Sequence, residues 1–140
     1  MARLIKIHVL AIISLLGLQS CEEGCTDADA LNEDFNAYKD DGSCEYTQAT
    51  FYAKWNSFQG VPISQVDVAV EGSNIGTITT VYPQGPGNCS ATGTVTYQFE
   101  TGGSVDWNAT IFLANGGVLY QSGNVSSSSF TDCKKINVTQ

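Results

Sequence analysis

From Thr47 onward, apolar and polar residues alternate with a period of two, the pattern of strands with one dry and one wet face. Phe51, Ala53 and Trp55 alternate with Tyr52, Lys54 and Asn56, which predicts a strand over 51–56. Val66, Val68 and Val70 alternate with Asp67, Ala69 and Glu71. A Gly72-Ser73-Asn74 turn then leads into a Thr-, Ile- and Val-rich strand over 75–82. Val95, Tyr97 and Phe99 alternate with Thr94, Thr96 and Gln98. Val105, Trp107, Ala109, Ile111 and Leu113 alternate with Asp106, Asn108, Thr110 and Phe112. Asn115-Gly116-Gly117 turns the chain into a strand over 118–125. A last strand covers 133–138, with Ile136 and Val138 on one face.

Seven short strands joined by turns at regular spacing predict an all-β fold. The count suits a seven-stranded antiparallel sandwich, immunoglobulin-like or transthyretin-like, over residues 47–140. Phe51, Trp55, Tyr97, Phe99 and Trp107 fall on the inferred buried faces and read as core. Tyr52, Tyr82, Phe112 and Tyr120 fall outward, and an outward aromatic row is one way in which a sandwich stacks sugar rings. Those four are the candidate ligand residues.

The pattern upstream is different. Arg3 and Lys6 precede an apolar run of twelve residues over 7–18. A bilayer span takes about 18–20 apolar residues, so residues 1–20 read as a signal peptide. The run ends in Leu18-Gln19-Ser20-Cys21, which resembles the lipobox of bacterial lipoproteins in Leu18, the small Ser20 and Cys21; Gln19 departs from the usual small or apolar residue. The resemblance implies that Cys21 carries a diacylglyceryl group and becomes the acylated N-terminus, so that the membrane is a partner through acyl chains. Glu22-Glu23 resemble the acidic export signal behind the lipidated cysteine of surface lipoproteins in some Gram-negative bacteria. That implies the outer membrane, facing the exterior.

Between anchor and sandwich, residues 21–46 hold an acidic cysteine loop. Nine acids lie from Glu22 to Glu45, opposed only by Lys39. Gly24-Cys25-Thr26-Asp27 through Asp40-Asp41-Gly42-Ser43-Cys44-Glu45-Tyr46 resembles a short repeat of bacterial secreted and surface proteins, with Glu33 where that repeat usually has an aromatic. So short a segment cannot order itself by burial. A Cys25–Cys44 bridge would restrict its unfolded chain by roughly 3 kcal/mol. Leu31, Phe35, Tyr38 and Tyr46 could supply a very small apolar centre. Asp27, Asp29, Asp34, Asn36, Asp40 and Asp41 are candidate oxygen ligands for Ca²⁺, although their spacing does not reproduce an EF-hand. A solvated spacer is the competing reading. The order of strands and cysteines downstream resembles small β-sandwich lipoproteins, and names no ligand.

With Cys21 lipidated, four of the five cysteines remain, which suits two disulfides. Cys25–Cys44 with Cys89–Cys133 keeps the loop and the sandwich separate; the other two connectivities would bind one to the other. The formal charge of −8, without a clustered basic face, argues against a nucleic-acid partner. The only histidine is His8, within the leader, so the mature chain would lack the usual general base and the commonest metal ligand. Glu100 and Asp106 are the carboxylates weighed as a glycosidase-type pair, but Asp106 lies on the wet side of its strand. The expectation is a non-catalytic, lipid-anchored surface protein without a cofactor, its sandwich serving binding or adhesion toward a glycan or a surface protein. A glycan-binding accessory of an uptake system and a purely structural envelope lipoprotein are the alternatives.

Overall fold

The computed structural model describes residues 22–127 and 133–140, and every regular element among them is a β-strand. Two very short strands, β1 (Glu23–Gly24) and β2 (Lys39–Asp40), pair in parallel within the acidic loop. Eight more follow: β3 (Thr47–Tyr52), β4 (Ser57–Phe58), β5 (Val61–Val70), β6 (Ser73–Ile78), β7 (Val95–Phe99), β8 (Ser104–Leu113), β9 (Val118–Ser126) and β10 (Cys133–Asn137). One sheet has the order β10-β3-β7; the other runs β4-β5-β8-β9, with β6 also on β5. Each of the seven expected strands has a counterpart, and β4 is the addition.

Several details depart from the expectation; β5 begins at Val61, ahead of the alternation from Val66, and β6 ends at Ile78 and not at 82. The first strand ends at Tyr52, and Ala53 makes only an isolated bridge to Val81, so Trp55 lies beyond the sheet. The hairpin after β5 turns at Glu71-Gly72, with φ of 49° and 77°, so Ser73 and Asn74 already belong to β6. Positive φ at both central residues is what a two-residue turn needs to match strand twist. Lastly, β10 pairs with β3 in parallel, whereas the other sandwich pairs are antiparallel. The chain passes from β9 in one sheet to β10 in the other and arrives alongside β3 in the same sense.

The inward face of each strand supplies one core. Val66, Val68 and Val70 of β5 meet Trp107, Ala109, Ile111 and Leu113 of β8 from within one sheet; Ala49, Phe51, Val95, Phe99 and Val138 face them from the other. The Phe51 ring crosses between the sheets to the Trp107 indole, with centroids 5.7 Å apart and planes inclined by 55°. Trp107 stands opposite Gly123 of β9, where an added Cβ would come within 3.0 Å of the indole Cζ2. The glycine leaves room for the indole on that edge strand. Tyr97, expected inside, is only half-buried.

The bridges are Cys25–Cys44 and Cys89–Cys133, so the loop and the sandwich are each stapled within themselves. The second bridge ties the loop before β7 to the start of β10. Thr50 fixes the same loop by donating its hydroxyl to the Cys89 carbonyl at 2.9 Å.

Phe51 is fully buried, and its truncation would open a cavity between the sheets. Phe51→Ala should lower the unfolding free energy by about 3–5 kcal/mol, read by denaturant unfolding with both disulfides intact. A loss below about 1 kcal/mol, the scale of a well-tolerated swap, would show that the sheets are held together elsewhere.

Candidate functional site

The acidic loop spends its carboxylates on its own backbone. Asp27 accepts the Asp29 N–H at 3.0 Å, Asp34 that of Asn36 at 2.9 Å, Asp40 that of Gly42 at 2.9 Å and Asp41 that of Ser43 at 2.9 Å. These are Asx turns, in which a short acidic side chain caps the amide two residues on. Asn36 is exposed and turns its amide back to Asp34 at 3.4 Å. Among the described residues, no group of three or more His, Cys, Asp or Glu is placed to hold a metal ion. Four of the six Ca²⁺ candidates, Asp27, Asp34, Asp40 and Asp41, thus act as turn formers, and Asp29 and Asn36 are residues whose N–H groups they cap.

The loop's apolar centre also differs from expectation. Phe35 and Tyr38 are 88% and 83% exposed; Cys25 and Ala30 are buried, and Leu31 and Tyr46 half-buried. Too little chain is present to cover two large rings. Closure comes from Asn32, which donates to the Ser43 carbonyl at 2.8 Å and accepts the Glu45 N–H at 2.7 Å. The loop is fastened to the sandwich through the Thr101 N–H, which donates to the Asp29 carbonyl at 2.9 Å. A cleft of about 550 Å³ runs along this seam and is lined by Cys44, Cys89, Cys133, Glu45 and Lys135.

Asp27 also accepts the Tyr46 hydroxyl at 2.6 Å. That hydrogen bond, and then the Asp29 amide, hold the Asp27 carboxyl below its ordinary 3.8; the same bond pushes the Tyr46 phenol above its ordinary 10.0. Asp41 is lowered likewise, by the side chain and then the amide of Ser43.

The four outward aromatics do not form a row. Phe112 and Tyr120 lie on the outer face of the five-stranded sheet, where Phe112 is half-buried and Tyr120 is 75% exposed. Tyr52 is on the other sheet, beside Gly85 of the loop that covers it. Tyr82 follows the bridge at Val81 and donates its hydroxyl to the Thr92 carbonyl at 2.7 Å. The two pairs belong to different sheets. The candidate catalytic carboxylates line different cavities: Glu100 lines one with Glu71, and Asp106 another with Trp107 and Gly123. Asp106 accepts the Asn124 amide at 2.8 Å, and its N–H donates to the Glu71 carboxylate at 2.7 Å.

The aromatic that does face solvent beside a cavity is Trp55, which is 52% exposed instead of buried. Its place is built by three local features. The Lys54 and Trp55 N–H groups both donate to the Thr139 hydroxyl, at 2.8 and 3.1 Å, and Thr139 is itself buried. The Lys54 ammonium lies 5.3 Å from the indole centroid, a cation–π contact. The hairpin from β4 to β5 turns at Gln59-Gly60, with φ of 49° and 80°, and sets Phe58 opposite Val61. Trp55 and Ile63 then line two neighbouring cavities of about 290 and 300 Å³. Phe58, Gln59 and Gln121 complete the first; Asn56, Gln65 and Thr80 are part of the second.

Comparison with protein-family models, with curated proteins and with solved structures finds no match for this chain.

Two outcomes test the acidic loop. Because Asp27 titrates lower when folded than when unfolded, its stabilising effect is present above its ordinary 3.8 and is lost as pH falls through the lowered folded value. Tyr46→Phe should return Asp27 toward 3.8 in an NMR carboxylate titration while leaving Asp41 lowered; an unmoved Asp27 would contradict the Tyr46 contact. The second outcome concerns Ca²⁺, which would have to break four Asx caps to collect its ligands. Melting should be the same in millimolar Ca²⁺ as in chelator, and calorimetric titration should detect no saturable site tighter than about 1 mM, the weak limit of extracellular calcium modules.

Proposed function

We propose that this chain is a non-catalytic surface lipoprotein, held at the outer membrane by acyl chains on Cys21 and using its β-sandwich for binding or adhesion. The anchor rests on Leu18-Gln19-Ser20-Cys21, which lies outside the described residues, and the outward orientation rests on Glu22-Glu23. A diacylglyceryl group supplies two chains, which stable attachment needs, since a single chain holds only marginally. Among the described residues no helix is long and apolar enough to cross a membrane. Two disulfides suit an oxidising compartment outside the cytoplasm.

The observation that carries the binding reading is Trp55, half-exposed and fixed between two cavities. Tryptophan on a preorganised backbone is the residue type that most often dominates recognition surfaces. The acidic loop then serves as a stapled connector, its carboxylates shaping turns and keeping the segment solvated.

Cys21→Ser should shift the protein from the outer-membrane fraction to the soluble fraction, read by fractionation and immunoblotting, with metabolic labelling by a fatty-acid analogue lost in parallel. A variant that stays in the membrane fraction would overturn the anchor.

A further inference from the structure

We propose that Trp55 and its two flanking cavities form a binding site for a neutral, extended oligosaccharide. This rests on the binding reading above and deepens it to a ligand class. The cavity linings differ in charge from the rest of the chain. The chain carries 14 acidic and 6 basic residues, yet no side chain lining either cavity is charged. The walls offer a charged ligand no counter-charge; beside them the Lys54 ammonium is held 5.3 Å from the Trp55 centroid, and the Asp67 carboxylate is held by Gln65 and Thr77. A purely apolar ligand would cover the Asn56 and Gln59 amides without answering them, whereas Gln65 and Gln121 already donate to Asp67 and to the Gln140 carbonyl. A pyranose ring answers both demands: its axial C–H face lies on the indole, and its hydroxyls both donate to and accept from neutral amides and hydroxyls.

The shape of the site suits an extended ligand. Each cavity is at the small end of the range for ligand sites, about 300–1,000 Å³. Both share Trp55 and Ile63, so one ligand can run across the indole with a sugar unit on either side. The site is held ready: Thr139 fixes the Trp55 backbone, and Gln59 keeps a positive φ that a side chain rarely adopts. β3 leaves the acidic loop at Thr47 and brings the chain to Trp55 beyond its other end, roughly 20 Å on at about 3.3 Å per residue. The site is thus at the pole of the sandwich away from the connector.

The test uses the mature chain with Cys21→Ser to keep it free of lipid. Trp55 and Trp107 are its two tryptophans, one 52% and the other 8% exposed, so acrylamide quenching reads Trp55 against a shielded reference. The probes are cellohexaose, xylohexaose, laminarihexaose and mannohexaose at millimolar concentration, with hexagalacturonate as the charged counterpart. At least one neutral hexasaccharide should shield Trp55, and hexagalacturonate should not. By calorimetry, Trp55→Ala should weaken that binding by at least about tenfold. Gln121→Ala and Phe58→Ala should also weaken it with the melting temperature unchanged, which keeps the test decisive if Trp55→Ala folds poorly. No shielding by any neutral probe, equal shielding by the charged one, or binding undiminished in all three variants would overturn the proposal. Fractionation of Cys21→Ser is scored separately, so loss of the sugar site leaves the anchored-module reading standing, and the reverse.

Discussion

The contact between Phe51 and Trp107 is the constraint on which the sandwich turns, because it is where the two sheets meet through their largest buried rings. Phe51 sets the inward phase of β3, so Ala49 and Ala53 share its side while Thr50 and Tyr52 point outward. Trp107 sets the phase of β8, and antiparallel pairing carries it to β5 and β9. A slip of one residue in either strand would send the ring to the opposite face. The open edge position at Gly123 is a consequence of the indole's size. Even the place of Trp55 follows, since the chain leaves β3 after Tyr52 and can release that side chain to solvent.

A domain of this size gains only a modest surplus from its core, and the staples stabilise what burial leaves marginal. Closing the 44-residue separation of Cys89 and Cys133 restricts the unfolded chain by about 4 kcal/mol on the chain-entropy model. The same bridge holds the loop between Tyr82 and Val95 over the outer face of β3, which is why Thr50 is buried although it points away from the core. The acidic loop depends on its bridge more completely, since Cys25 and Ala30 are its only buried hydrophobic residues among those described. Its single ion pair, Lys39 with Glu23 at 2.7 Å, is exposed at both ends and contributes little.

The two-residue period was enough to read the inward faces of β5, β7 and β8, because each buries one face against one core. It failed where burial does not decide. Trp55 continues the pattern of Phe51 and Ala53, but Gln59-Gly60 close behind it makes a hairpin that takes the chain out of the sheet. A Gln in the left-handed region is a weak turn signal, since Asn and Asp adopt it more readily, so the hairpin was illegible. Glu71-Gly72 displaced the second turn for the same reason, with Glu71 held by hydrogen bonds to Asp106. Phe35 and Tyr38 misled in the opposite direction: large apolar residues imply a centre only where enough chain surrounds them. The acids of the loop were legible as a cluster. Their use as Asx caps was not, because a cap and a ligand require the same residue at the same spacing.

Most of the acidic charge lies away from the proposed site. The acids concentrate in the loop that leads from the proposed anchor, and the cavities beside Trp55 have none. A neutral ligand is not steered by the field of a negative protein, so its capture depends on contact alone. Contact over one indole and a few amides is small in area, and an isolated copy would bind weakly. The proposed anchor would change that arithmetic. Many copies held by lipid in one membrane would meet a polymeric glycan at a high effective concentration, and a second contact would cost far less than the first. Their acidic connectors would repel one another, spacing neighbouring sandwiches along such a polymer.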